Sequence, residues 1–155
     1  MKYLVCTFAF VWLGVVSYQY VNPTSREDRA ILEHLSAQQI QSISIEPARA
    51  GYPTAIKYPI AIDDQQMIGV FSKAMSGMPI HHPEHPRVTH AVTLRIKLRN
   101  RVIGGYLEES DNDGTTFYCM SDVTAGWVFG TYTVSDGGKL FELIGQLAAA
   151  RHDSE

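Results

Sequence analysis

Three histidines and a glutamate lie within one short stretch, and these residue types suggest metal binding. The stretch is His81-His82-Pro83-Glu84-His85-Pro86. Imidazole nitrogens and carboxylate oxygens are ligands that zinc, nickel and copper accept in proteins, so His81, His82 and His85 are the candidate ligands. The two prolines favour an extended backbone, which spreads such ligands apart. The pattern therefore indicates a solvated histidine loop first and a metal site second.

A second group of residues that could do chemistry lies in the next stretch. Arg95, Lys97 and Arg99 alternate with apolar residues, and Tyr106 follows shortly after. Alternate residues of a strand share one face of a sheet, and Tyr106 is expected on the neighbouring strand of that face. Arg and Tyr are enriched in protein interfaces, so these four residues are the candidate partner-binding site. The alternative is that an exposed sheet face carries cations only because it must be polar.

The chain has no recognisable catalytic set. It contains no G-x-S-x-G, S-x-x-K, H-E-x-x-H or C-x-x-C pattern, which would place a nucleophile, base or metal ligands together. Asp63 and Asp64 precede a helical pattern and are better explained as helix caps. Cys119 lies in an apolar strand pattern and is interpreted as a small buried hydrophobe. We therefore predict a protein that is not an enzyme and needs no cofactor.

An apolar segment, residues 3–21, follows Lys2, and no charged residue occurs before Arg26. A membrane-spanning helix needs about 20 mostly apolar residues. A cleavable signal peptide has a shorter apolar region, about 7–15 residues, followed by small residues at the cut, and Ser17 would suit such a cut. We favour an uncleaved, single-pass anchor and keep a removed signal as the alternative. Lys2 favours an orientation that leaves the rest of the chain outside the cytoplasm, periplasmic or extracellular in a bacterium.

The composition indicates one folded domain after this segment. Hydrophobic residues make up 45 % of the chain and charged residues 19 %, with a net charge of −3. These values are typical of a globular domain, and they give no reason to expect nucleic acid as a partner. The chain is thus divided into an anchor or signal, residues 1–21, and an extracytoplasmic domain, residues 22–155.

The spacing of apolar residues predicts the helices and strands of that domain. Helical spacing predicts helices after the capping-box pair Thr24 and Glu27, after Asp63-Asp64 and after Ser135-Asp136. Alternation of apolar and polar residues predicts strands at 42–47, 55–62 and 88–99, between the turns at 100–101 and 111–114, and at 116–121 and 127–134. The last four strands would form an antiparallel meander, with helices packed on one face. The predicted fold class is α+β.

The hairpin that carries the candidate interface has a predicted register. A two-residue turn at Asn100-Arg101 would pair Leu98 with Ile103, and Ile96 with Gly105. This register places apolar residues along one face and leaves the face of Arg95 towards solvent.

These observations lead to one expected function and one alternative. We expect a non-catalytic, membrane-anchored domain that acts outside the cytoplasm through protein contacts, as an accessory or assembly factor. The alternative is a secreted or periplasmic protein that binds a metal or small ligand through the His81–His85 loop. An exported inhibitor or immunity protein is a third possibility, which differs from the first in needing a toxic or hydrolytic target.

Overall fold

The computed structural model describes residues 12, 26–81, 87–120 and 128–152. Three α-helices and six strands lie in these ranges. The helices are α1 (Arg26–Glu33), α2 (Gln65–Met75) and α3 (Gly137–His152), and a 3-10 turn covers Ala37–Gln39. The strands are β1 (Ile40–Pro47), β2 (Ile60–Ile62), β3 (Val88–Leu98), β4 (Val102–Ser110), β5 (Gly114–Met120) and β6 (Val128–Thr133).

All six strands form one antiparallel sheet with the order β2-β1-β3-β4-β5-β6. The predicted α+β class is confirmed, and the predicted meander is its β3–β6 part. The sheet is larger than that meander, because β1 pairs along β3 and carries β2 as a short outer strand. Pro59 precedes β2 at this edge, where a missing backbone N–H costs no ladder bond.

One face of the sheet carries the hydrophobic core. Ile45 lies opposite Leu94, and Leu94 lies opposite Gly105, so the side chains of this row project to the same side. Helices α2 and α3 supply Phe71 and Ile144 to the same buried cluster. Burying a side chain of this size contributes roughly 1.5–3 kcal/mol. This face, which we call the core face, holds the helices in place.

Helix α2 starts where the sequence predicts it. The carboxylate Oδ1 of Asp64 accepts hydrogen bonds from the backbone N–H groups of Gln66 and Met67, at 3.1 and 2.9 Å. These bonds satisfy two of the amide groups that a helix start leaves without partners. The helix ends before Gly77, whose φ of 67° suits a glycine.

The register of the β3–β4 hairpin differs from the predicted one. Ile96 lies opposite Ile103 instead of Gly105, and the turn residues are Arg99 and Asn100, with the N–H of Leu98 bonded to the carbonyl of Arg101 at 2.9 Å. The pairing is therefore shifted by two residues. Such a shift returns every side chain to the same face, so apolar alternation alone cannot separate the two registers.

The predicted anchor, residues 3–21, lies outside the described residues apart from Trp12. Among the residues that the structure describes, no helix is long and apolar enough to cross a membrane.

Candidate functional site

The face of the sheet opposite the helices, which we call the second face, carries a polar and aromatic group of residues. Thr93 lies opposite Tyr106, and Tyr106 lies opposite Tyr118, so one row crosses β3, β4 and β5. In the next row Glu108 lies opposite Thr116. Because alternate residues of a strand share a face, both rows project away from the core.

A loop after β1 turns back over this face. Residues 49–52 form a tight turn, closed by a hydrogen bond from the N–H of Tyr52 to the carbonyl of Arg49 at 3.2 Å. Gly51 adopts a φ of 92°, which favours glycine at this position of the turn. The chain then meets β3 again: the N–H of Ala91 bonds to the carbonyl of Pro53 at 2.7 Å, and the N–H of Ala55 bonds to the carbonyl of Ala91 at 3.1 Å. The turn is thus attached to the sheet at its C-terminal end.

The turn places the side chain of Arg49 between two tyrosines. The guanidinium Nη2 donates a hydrogen bond to the hydroxyl of Tyr52 at 2.7 Å. The guanidinium carbon lies 4.5 Å from the centre of the Tyr52 ring and 5.0 Å from the centre of the Tyr106 ring. Both distances are within the range of a cation–π contact. The hydrogen bond to Tyr52 is the main reason why the pKa of Arg49 is raised.

A buried carboxyl group lies on the same face. Glu108 is only 6 % exposed, and its burial raises the pKa of the carboxyl group, while the positive charge of Arg49 lowers it. Burial also raises the pKa of Tyr118, and the negative charge of Glu108 acts in the same direction. Burial penalises the ionised form of this carboxyl group, and the nearby positive charge of Arg49 partly offsets that penalty.

The predicted partner-binding residues are brought together only in part. Arg95 and Lys97 lie on the second face with Tyr106, as predicted from alternation. The guanidinium Nη1 of Arg95 lies 3.5 Å from Glu46 Oε1, an ion pair within the face itself. Arg99 instead lies in the hairpin turn, where it lines a groove of about 570 Å³ together with Ile31.

Three residues of the site, Arg49, Tyr52 and Glu108, are not among those predicted from the sequence. Glu108 has a weak sequence signal, because alternation along β4 places it on the same face as Tyr106. Arg49 and Tyr52 have none, because their position depends on the turn at Gly51 and on where the loop meets β3.

Of the three predicted metal ligands, the structure describes only His81. Its Nε2 lies 3.8 Å from Asp113 Oδ2, and within the described part of the chain neither of these buried atoms has a hydrogen-bond partner. His82 and His85 lie outside the described residues. No group of three or more His, Cys, Asp or Glu residues that could hold a metal occurs among the described residues.

No protein-family model, curated protein or solved structure significantly matches this chain.

Proposed function

We propose that this chain is a non-catalytic, membrane-anchored protein whose domain binds another protein through the second face of its sheet. Residues 3–21 would hold the domain at the outer surface of the membrane, in the periplasm or outside the cell. The domain would serve as an accessory or assembly factor of a membrane complex. The observation that carries the proposal is an exposed apolar and cationic pair at the hairpin end of the second face.

That pair consists of Val102 and Lys97, which lie directly opposite each other on β4 and β3. Val102 is 55 % exposed, and Lys97 is exposed as well. Arg99, also exposed, follows in the adjoining turn. An exposed aliphatic side chain bordered by cations suits an interface with an apolar centre and a charged rim.

The test uses the full-length chain with an affinity tag, extracted from its native membranes with a mild detergent. Co-purifying proteins are quantified by mass spectrometry for the wild type and for Lys97→Ser/Val102→Ser. We expect the variant to recover about tenfold less of its main partner, which corresponds to a loss of roughly 1.4 kcal/mol of binding free energy.

A matched control removes the same residue types from the other side of the molecule. Val70 is 51 % exposed, and Lys73 follows it on α2. Helix α2 packs against the core face, so Val70→Ser/Lys73→Ser should leave partner recovery unchanged. Equal recovery with both double variants would contradict the proposal.

A second candidate function, binding of a divalent metal ion, is favoured by the His81–Asp113 pair. The two facing atoms are buried, lack hydrogen-bond partners among the described residues, and are too far apart to bond each other. An imidazole nitrogen and a carboxylate oxygen are a common part of a zinc site. Two ligands do not complete such a site, so this candidate is the weaker one.

Titration calorimetry of the full-length chain with zinc alone tests this second candidate. Binding in the micromolar range that His81→Asn and Asp113→Asn each abolish would support it. Absence of heat at that concentration would remove it.

A further inference from the structure

Arg49 lies in a setting that has the features of a binding site for a guanidinium group. One ring wall is Tyr106, fixed by the sheet, and the other is Tyr52, carried by the turn. The buried carboxyl of Glu108 attracts the positive charge of Arg49. Aromatic faces and a carboxyl group are the two features that proteins use to hold an arginine side chain.

We propose that the second face contains a binding site for an arginine side chain of a partner protein, formed by Tyr52, Tyr106 and Glu108, and that Arg49 occupies this site until the partner arrives. The inference rests on the proposed function, because it states what the partner offers to this face. It goes beyond that proposal because it assigns recognition of a specific side chain to residues other than Lys97 and Val102.

Arg49 is more exposed than the residues of the site around it. Arg49 is an exposed residue on a tight turn, whereas Glu108 is buried in the middle of the sheet. Tyr106 is held in the sheet by backbone pairing of β4 with β3 and β5. Removing Arg49 from the site requires rotation of one solvent-facing side chain, while the walls stay in place.

Displacement of Arg49 would change the charge of the site. With Arg49 displaced, the Glu108 carboxyl would lose the cation whose charge it feels most directly. Arg95, another arginine on this face, is already paired with Glu46. An incoming cation would therefore restore the attraction that Arg49 provides, so exchange of one guanidinium for another balances the charge of the site.

The stacked position of the Arg49 guanidinium favours arginine over lysine as the ligand. A planar guanidinium can stack on a tyrosine ring and still donate hydrogen bonds from its edge, as Arg49 does towards the Tyr52 hydroxyl. An ammonium group is more strongly hydrated and cannot stack in this way. We therefore assign an arginine, presented on a segment of the partner, as the ligand.

The experiment measures binding of a capped five-residue glycine peptide with one central arginine to the detergent-solubilised full chain, by titration calorimetry. In Arg49→Ala the site is vacated, and the peptide should bind at least about tenfold more tightly than to the wild type, where Arg49 competes. Citrulline in place of the peptide's arginine keeps the shape and removes the charge, so it should abolish binding. The double variant Arg49→Ala/Glu108→Gln should bind the peptide no more tightly than the wild type does.

A second variant and a second measurement guard against failure of Arg49→Ala to fold. Arg49→Met keeps much of the side-chain volume without the charge, and circular dichroism checks the fold of each variant. Ring-labelled tyrosine NMR of the wild type, titrated with the arginine peptide at high concentration, should shift the Tyr106 signal. Folded Arg49→Ala and Arg49→Met that bind no more tightly than the wild type, or a gain that persists with Glu108→Gln, would overturn the inference.

The two proposals fail separately. Loss of the partner in Lys97→Ser/Val102→Ser without any peptide binding would leave the proposed function in place and overturn the arginine site. If the peptide binds as expected but Lys97→Ser/Val102→Ser recovers its partner as the wild type does, the arginine site would stand and the proposed function would be overturned.

Discussion

Gly105 in β4 occupies a position that has no room for a side chain. A Cβ atom built there would overlap the backbone carbonyl of Tyr118 and would lie 2.8 Å from a ring carbon of Phe117. Both neighbours belong to the adjoining strand β5, and Phe117 is fully buried. The pair of glycines at 104–105 suggests such a close approach from the sequence alone.

We expect Gly105→Ala to lower the free energy of unfolding by about 1–3 kcal/mol, because the added methyl group forces the strands or the Phe117 ring to move. Urea unfolding followed by circular dichroism measures the change. Gly69→Ala is the control, since Gly69 lies within α2 and a Cβ there meets no atom within 4 Å. Alanine should stabilise that helix by roughly 0.5–1 kcal/mol, so equal effects at the two positions would contradict the prediction.

Glu108 gives the stability of the protein a specific dependence on pH. Its burial raises the pKa of the carboxyl group in the folded state above the ordinary value of 4.5. The folded state therefore holds the proton to higher pH than the unfolded state does. The resulting contribution to stability is fully present below about pH 4.5 and is lost as the pH rises through the folded-state pKa.

Glu108→Gln removes this titration, so we expect the variant to gain stability relative to the wild type between about pH 4 and about pH 7. Urea unfolding of both proteins across that range gives the difference directly. Glu142→Gln, on the exposed side of α3, controls for removing one carboxylate from the molecule. If the free energy of unfolding of the wild type instead rose with pH relative to that of Glu108→Gln, the prediction would be contradicted.

At the scale of elements, helix α2 shows how a local signal sets a boundary. Asp64 satisfies two backbone N–H groups at the helix start, whereas the neighbouring Asp63 is not the capping residue. We expect Asp64→Ala to lower the free energy of unfolding by about 1 kcal/mol, and Asp63→Ala to have a much smaller effect. Thermal unfolding of the two variants compares them, and similar losses would argue against the cap.

In the β3–β4 hairpin, local signals predict the face of each side chain but not the register of the strands. Alternation of apolar residues correctly assigns Arg95, Lys97 and Tyr106 to one face. The turn, however, uses Arg99 and Asn100, one position before the predicted pair. Arg99 consequently leaves the second face and lines a groove with Ile31. Side-chain patterning determines the face, and only pairing across strands determines the register.

At the scale of the whole molecule, the predicted anchor can be tested directly. Residues 3–21 form a mostly apolar stretch of about the length that a membrane-spanning helix needs, roughly 20 residues. We expect the full-length chain to remain with the membranes after an alkaline wash, and peptides from residues 3–21 to be present in the mature protein. The same chain lacking residues 1–21 should be recovered in the soluble fraction. A mature chain that begins near Tyr18 would instead support a cleaved signal.

The sequence by itself determined the α+β class, the capped start of α2, the meander of the last four strands and the face on which Arg95 and Tyr106 lie. Each of these depends on residues close together in the chain, through periodicity, caps and turns. Only the tertiary structure decided that β1 and β2 extend the same sheet, and that Arg49 lies over Tyr106 near the buried Glu108. Those features depend on pairings between distant strands and on the attachment of one loop to β3, which no local pattern encodes.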